Sequence, residues 1–527
     1  MTIQLSIPSV LDEQKLSRNL AALVRDRVAS RIFEKDATLW GDAAEAEAAI
    51  RLGWTDFVQS AEAVVSEAEQ FRDELRARGV DRVVLCGMGG SSLAPAVICR
   101  WAGVPLDTID STHPAVVKAA LQGDLARTVV VVSSKSGGTI ETLSHRAAFM
   151  SAFREAGLDP AQHMAVVTDP GSALEADARA AGQRVFLADP NVGGRFSALT
   201  AFGLVPSVLA GADARGLVAE AQAVRELLKA DTPNNPAFVL AASIMSDLPE
   251  KYVLGIDSEP DARWGLGSWI EQLVAESTGK DGKGVLPIAL PEDAAELQQT
   301  PANTRIVRVG SGSQNPESGA ANELLVAAPL GAQLLLWETA TAVLGRLLDI
   351  DPFNQPDVES AKVAARAQLE AVPQQGDTSA VPSRASVSES QDPAALLATL
   401  RQSVPVNGYV AIQAYLDPQG PCAPLLNELR NRLAKAMGVP VALGWGPSYL
   451  HSTGQLHKGG PALGAFLQIT EQNLEPLEIP GSENGFDTLI AAQARGDRDV
   501  LRERGRTVLT LASSDPAAGL RDLLAAL

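Results

Sequence analysis

The residues best suited to chemistry sit in two loops, where short β-branched runs give way to glycines and hydroxyls just ahead of helical periodicity. The run VVLC passes into Gly87-Met88-Gly89-Gly90-Ser91-Ser92. Its glycines permit close backbone approach, and Ser91 can donate an O–H to an anion. The run TVVVV passes into Ser133-Ser134-Lys135-Ser136-Gly137-Gly138-Thr139, followed by Ile140, Leu143, Ala147 and Met150 at helical spacing. Ser134, Ser136 and Thr139 therefore stand at a helix N-terminus, where unpaired N–H groups and the positive end of the dipole favour an anion, with Lys135 beside them. A phosphate fits such a nest. The plainer alternative is that these hydroxyls only cap the helix, with Glu141 as partner. The dinucleotide pattern GxGxxG fails because position 92 is Ser, and no P-loop sequence occurs.

Loops of this kind need a parallel sheet behind them, since ligands collect beyond the carboxyl ends of parallel strands. From residue 82 the chain alternates short strands with amphipathic helices, as that architecture requires. A second cycle begins near Asn235, with the strand KYVLGI, the helix GLGSWIEQLVAESTGK, the strand TRIVRVG and a long helix from about Ala332. The stretch PQQGDTSAVPSRASVSESQDP reads as a linker, because it is rich in Pro, Ser and Gln without apolar periodicity. GYVAIQAYL, LLNELRNRLAKAMG and PVALGW then form a smaller unit. The expected architecture is α/β: a helical N-terminal flank (1–80), two parallel-sheet domains sandwiched by helices (81–234 and 235–372), a linker (373–393) and a C-terminal α/β unit (394–527).

A chain of 527 residues supports several packed units, and a composition 46% hydrophobic and 20% charged is globular, without an apolar run that spans a bilayer. No membrane association is expected. A net charge of −19 disfavours nucleic acid, which is bound mainly through excess Lys and Arg, but leaves a single phosphate monoester within reach of a local nest. The N-terminus lacks the pattern of a secretory signal, and Cys86, Cys99 and Cys422 form no disulfide framework or zinc spacing, so a reducing cytoplasm is the expected compartment.

Five ordered segments, GMGGSSLAP (87–95), SSKSGGTIET (133–142), DPNVGGRFSALTAFG (189–203), EQLVAESTGKDGKG (271–284) and DPFNQPDVESAK (351–362), resemble the glucose-6-phosphate isomerase family with its two sugar-isomerase domains. The flanks RIFEKDATLWG, RLGW and YLHSTGQLHKGGP look like the isomerase half of bacterial fused transaldolase/glucose-6-phosphate isomerases. The resemblance implies an intramolecular aldose–ketose conversion of a small sugar phosphate without a cofactor, and since no His/Asp/Glu cluster has metal spacing, no metal is expected. It leaves open a homodimer, a functional pairing with a transaldolase, and breadth toward mannose 6-phosphate. A noncatalytic sugar-phosphate sensor is the competing class.

Such a reaction needs a phosphate anchor, groups to open the ring, a base to carry a proton between C1 and C2, and a cation for the enediolate. Leu266, Trp269, Ile270, Leu273 and Val274 form one helical face, Glu276 falls at its edge in the last turn before Gly279, and Glu271 points away; the segment alone would read Glu276 as a surface carboxylate, and the resemblance at ESTGK makes it the expected base. Arg195, after Gly193-Gly194 and ahead of a helix expected near Ser197, is the expected enediolate cation. By resemblance, Lys362 handles the ring oxygen, and Gln355 joins Ser91, Ser134, Lys135, Ser136 and Thr139 in binding phosphate. The chain departs from the family by having no histidine between His163 and His451. The segment His451 to Gly460 resembles a relocated ring-opening segment, and His457 is favoured over His451 because it follows Gly454-Gln455 most closely.

Overall fold

A computed structural model describes residues 3–312, 322–357 and 392–527. Lys362 and residues 373–391 of the expected linker lie outside the described residues. The N-terminal flank is not wholly helical. Its strand β1 (Gln4–Ser6) pairs antiparallel with a strand more than three hundred residues later, tying the start of the chain to the second sheet.

The first sheet is built from β2 (Arg82–Gly87), β3 (Asp107–Ile109), β4 (Thr128–Ser133), β5 (Met164–Thr168) and β6 (Arg184–Leu187), all parallel in the order β3-β2-β4-β5-β6. Every residue of β4 and β5 is buried. Helices cover both faces, which is why these strands read as continuous apolar runs instead of alternating ones. The strand order reverses between β2 and β4, so their connections leave in opposite directions and open a crevice at the carboxyl edge. The two hydroxyl-bearing loops are the loops that follow β2 and β4.

The second sheet joins β1 to β7 (Val253–Ser258), β8 (Leu286–Ala289), β9 (Thr304–Gly310) and β10 (Leu324–Ala327), in the order β1-β10-β9-β7-β8. Between the two sheets lie the helices Ala201–Ala210, Ala214–Lys229, Pro236–Asp247 and Leu330–Leu348. One apolar core runs from the N-terminal helices through the first sheet and these helices to the second sheet. The third sheet contains β11 (Tyr409–Tyr415), β12 (Val441–Trp445), β13 (Gly464–Glu471) and β14 (Thr507–Ser513), all parallel in the order β12-β11-β13-β14. It has its own core, and a further cluster, including Tyr252, Leu286, Tyr409 and Phe466, packs it against the second sheet. Burying such aromatic and aliphatic side chains contributes about 1.5–3 kcal/mol each. The C-terminal unit is therefore seated on the body, where it can supply side chains to a shared site.

The helix Leu266–Thr278 lies where all three units meet. Its apolar face, Leu266, Trp269, Ile270, Leu273 and Val274, is buried as the periodicity predicts. It ends at Gly279, where a Cβ would stand 2.3 Å from Leu456 Cα. Glycine is required there by the close passage of the C-terminal unit. Among the described residues no helix is long and apolar enough to cross a membrane.

Candidate active site

A cavity of about 590 Å³ opens at the crevice between the loops after β2 and β4. It is walled by Ser91, Ser134, Lys135, Ser136, Thr139, Arg195, Gln272, Glu276, Gln355 and His451, with Glu47 and Arg51 also lining it. Every described residue expected to bind phosphate lines this space. So do Glu276 and Arg195, while His457 does not.

Thr139 occupies the N-cap position of the helix Ile140–Glu155, yet its side chain makes no capping bond. Its hydroxyl instead accepts from Ser134 Oγ at 3.0 Å, and Ser136 Oγ accepts from the backbone N–H of Gly138 at 3.3 Å. The hydroxyl set is thus not consumed by capping, and the helix start keeps its anion-attracting character. Lys135 forms an ion pair with Asp169 and donates to Pro190 O at 3.2 Å, so the cation is anchored at the wall. Arg51, whose guanidinium is held by Glu47 at 2.7 Å, adds a second cation at the wall. The RLGW segment carried it in plain sight, but no periodicity ties residue 51 to a loop more than eighty residues away.

The glycines answer a steric demand. A Cβ on Gly90 would lie 2.1 Å from Gly194 O, and one on Gly89, at φ +54°, would lie 2.5 Å from His451 O. The β2 loop is therefore pressed against the Arg195 loop on one side and the His451 turn on the other. Arg195 is buried at 4% exposure in a single 3-10 turn, Gly194–Phe196, with the next helix beginning at Ala201, a turn later than expected near Ser197. Its Nε donates to Ser277 Oγ at 2.7 Å, Nη2 to Pro352 O at 2.6 Å and Nη1 to Gln355 Oε1 at 3.1 Å. Lys280 donates to Asp351 O and Asn354 O from the same side, its ammonium pulled down to about 7 by burial and by Arg195. The 351–355 loop is thus pinned by two cations, which places Arg195 rigidly beside Glu276.

Glu276 Oε1 lies 3.6 Å from Arg195 Nη1, and Oε2 accepts from Gln272 Nε2 at 3.1 Å. Gln272, one helical turn earlier, also donates to His451 O at 2.8 Å. It bridges the carboxylate to the C-terminal unit, a role invisible in a helix read alone. Glu271 faces another cavity, where its Oε1 accepts from Ala289 N at 2.7 Å and burial pushes its carboxyl up to about 7.

The two histidines exchange the places expected of them. His451 ends a 3-10 turn, Ser448–His451, and its Nε2 lies 3.1 Å from Glu141 Oε1. Gln493 donates to the same oxygen at 2.8 Å. Burial pushes the Glu141 carboxyl up, but the charge and hydrogen bond of His451 outweigh it and hold the group below its usual range. His457 lies in the short helix Gly454–Gly459, stacked on Tyr409, set edge-on to Phe466 and bonded through Nδ1 to Tyr409 Oη at 2.9 Å. Burial, with Lys458 and Arg506 nearby, pulls it down to about 3. The preference for His457 is corrected on this geometry: following Gly-Gln in sequence turned its ring into an aromatic pocket, away from the cavity that holds Glu276.

A carboxylate and a fixed guanidinium side by side, a carboxylate-backed imidazole across the space and a hydroxyl nest at a helix start can together bind a phosphorylated polyol and move protons on it. Comparison with known proteins points the same way. Residues 43–284 match the family model described as phosphoglucose isomerase. A glucose-6-phosphate isomerase of Thermus thermophilus is 30% identical over 382 residues, covering 60% of this chain and 90% of that one. A probable glucose-6-phosphate isomerase of Haloarcula marismortui is 28% identical over 359 residues, covering 58% and 82%. A hypothetical protein of Thermus thermophilus superposes with TM-score 0.58 at 26% identity, over 69% of this chain and all of that one. The glucose-6-phosphate isomerase of Chlamydia trachomatis gives the same TM-score at 18% identity over 70% and 88%, a likeness of fold.

Proposed function

The chain belongs to the glucose-6-phosphate isomerase family and is an aldose–ketose isomerase, and we propose that its cavity interconverts glucose 6-phosphate and fructose 6-phosphate through ring opening followed by enediolate proton transfer at Glu276. The observation that carries this assignment is the 3.6 Å pairing of Glu276 with the buried Arg195 on the wall that also bears the hydroxyl nest. Glu276 takes the proton from C2 and returns it to C1. Arg195 meets the negative charge that develops on the enediolate oxygen, an interaction strongest in the transition state and therefore one that raises turnover. Ser91, Ser134, Ser136 and Thr139 hold the phosphate, with Lys135, Arg51 and Gln355 around it.

His451 serves the ring-opening step. Glu141 orients the imidazole, and Gln493 fixes Glu141 in turn. Lys362 is kept as the partner at the ring oxygen on the strength of its motif alone. The same family reading extends to cytoplasmic location, to a homodimer and to a functional pairing with a transaldolase. Size measurement in solution tests the dimer, and co-purification tests the pairing.

Purified protein should convert fructose 6-phosphate in an assay coupled to oxidation of the glucose 6-phosphate formed, and mannose 6-phosphate run in parallel measures tolerance at C2. Saturable binding of either sugar without turnover would replace this reading with a sensor.

A further inference from the structure

A second cavity, about 710 Å³ in volume, lies on the other side of the helix Leu266–Thr278 from the site described above. Three sets of strand ends converge on it: the carboxyl end of β3 at Ile109 and Asp110, that of β11 at Gln413 and Asp417, and that of β12 at Trp445 and Ser448. The carboxyl edge of parallel strands is where ligands collect in open α/β sheets. The floor over the third sheet is low, because Ala411, Ala442 and Gly444 present little side chain.

Gln413 rises from that floor. It is 1% exposed, and neither its Oε1 nor its Nε2 has a hydrogen-bond partner. A buried amide left without partners is destabilising, and a ligand offering the matching acceptor and donor would remove that cost. The surrounding charges are mostly negative. Asp110, bonded by Ser448 at 2.6 Å, Asp417 and Glu271 line the space, against Arg100 and an Arg82 already paired with Asp107 at 2.8 Å. Acidic groups outnumber basic ones at these walls, so an uncharged ligand suits them better than a phosphorylated one. Near neutrality the Glu271 carboxyl, pushed up to about 7, can donate as well as accept.

Both cavities share walls. The turn Ser448–His451 presents Ser448 and Tyr449 to this cavity and His451 to the other, and the helix Leu266–Thr278 presents Ser268 and Glu271 here and Gln272 and Glu276 there. We propose that this cavity is an effector site for a small uncharged ring with an adjacent donor–acceptor edge, a nucleobase or carboxamide read by the Gln413 amide, and that its occupant shifts the His451 turn. The binding half stands apart from the isomerase assignment, and only the coupling half rests on it.

Isothermal calorimetry with adenosine, cytidine and nicotinamide tests the binding half. One of the three should bind the wild-type chain one to one with Kd below about 1 mM. Gln413→Met, which keeps the volume and removes the amide, and Ala442→Leu, which fills the floor, should each weaken that binding at least about tenfold. Melting temperature and inorganic phosphate binding should be unchanged in at least one of the two variants. If no probe saturates, or if a folded variant binds as tightly as wild type, the proposal is overturned. Saturating probe should also change kcat or KM for glucose 6-phosphate by at least about twofold in wild type and not in Gln413→Met. Binding without that change overturns the coupling half, and a chain without isomerase activity would sink the functional assignment while the calorimetry still decides the site.

Discussion

His451 and His457 are borne on one ten-residue segment, His451 to Gly460, yet they inhabit opposite environments. His451 closes a turn that reaches across to Glu141 and lines the cavity of Glu276. His457 is packed between Tyr409 and Phe466 and kept neutral by burial. The helix Leu266–Thr278 repeats the contrast with carboxylates: Glu276 meets Arg195, while Glu271 faces a different space and bonds a backbone N–H. In both pairs the residue type is the same and the segment is the same. What separates them is which distant segment arrives opposite, so chemical suitability along the chain ranks candidates poorly within a motif.

The largest expected effect separates the carboxylates. Glu276→Gln keeps the shape and removes the proton carrier, so turnover should fall about 10²–10⁴-fold while sugar-phosphate binding persists. Glu271→Gln should leave turnover near wild type. Steady-state rates together with direct binding titration check both, and equal losses in the two variants would dissolve the contrast.

The next effect separates the histidines. His451→Asn should slow conversion of cyclic glucose 6-phosphate by about tenfold or more, yet leave proton exchange on an open-chain analogue largely intact, because Glu276 and Arg195 remain. His457→Asn should be mild in turnover and felt mainly as lost stability. Glu141→Gln should follow His451→Asn at reduced size, since its carboxylate orients that imidazole. If His457→Asn is the more damaging variant in turnover, the assignment of ring opening to His451 fails.

A smaller effect concerns the anchor. Ser134→Ala with Thr139→Ala should raise KM several-fold with kcat little changed, because each removes a donor to the phosphate and neither makes a capping bond to the helix. Competitive inhibition by inorganic phosphate should weaken in parallel. A fall in melting temperature with unchanged KM would return these hydroxyls to a structural role.

Much of the positioning framework was legible before any coordinates. Fully buried runs such as TVVVV announce central parallel strands, and the periodicity from Ile140 announces the helix that follows. The loops on either side of the switch between β2 and β4 were legible for the same reason: a change of local pattern marks them. The place of Glu276 in the last turn of its helix was legible from a clear apolar face and a glycine stop, whereas its expected role came from the resemblance at ESTGK. The remainder depends on long-range packing. Gln272 is one more polar residue on its helix until Glu276 and the His451 carbonyl are seen on either side of it. Glu141 read as a capping partner because position alone placed it in the first turn, whereas its carboxylate belongs to a network with residues more than three hundred positions away. Strand β1 escaped notice because three residues carry no measurable periodicity.

The smallest expected effect is a pH dependence carried by the buried His457. An unfolded His457 would titrate near 6.5, and the folded one titrates near 3 because burial disfavours the charged ring. Between those values the unfolded chain binds a proton that the native chain refuses, so stability is fully present above pH 6.5 and is lost as pH falls toward 3. His145, buried beneath Phe486 and pulled down to about 4, acts in the same direction and is common to every variant compared. His457→Phe keeps an aromatic ring between Tyr409 and Phe466 but removes the titrating group. Its stability relative to wild type should therefore improve as the solution is acidified from pH 8 to pH 5, by about 2 kcal/mol at the lower end. Denaturant unfolding at each pH measures this difference directly. Parallel curves for wild type and His457→Phe would mean that the ring is not held neutral in the folded chain.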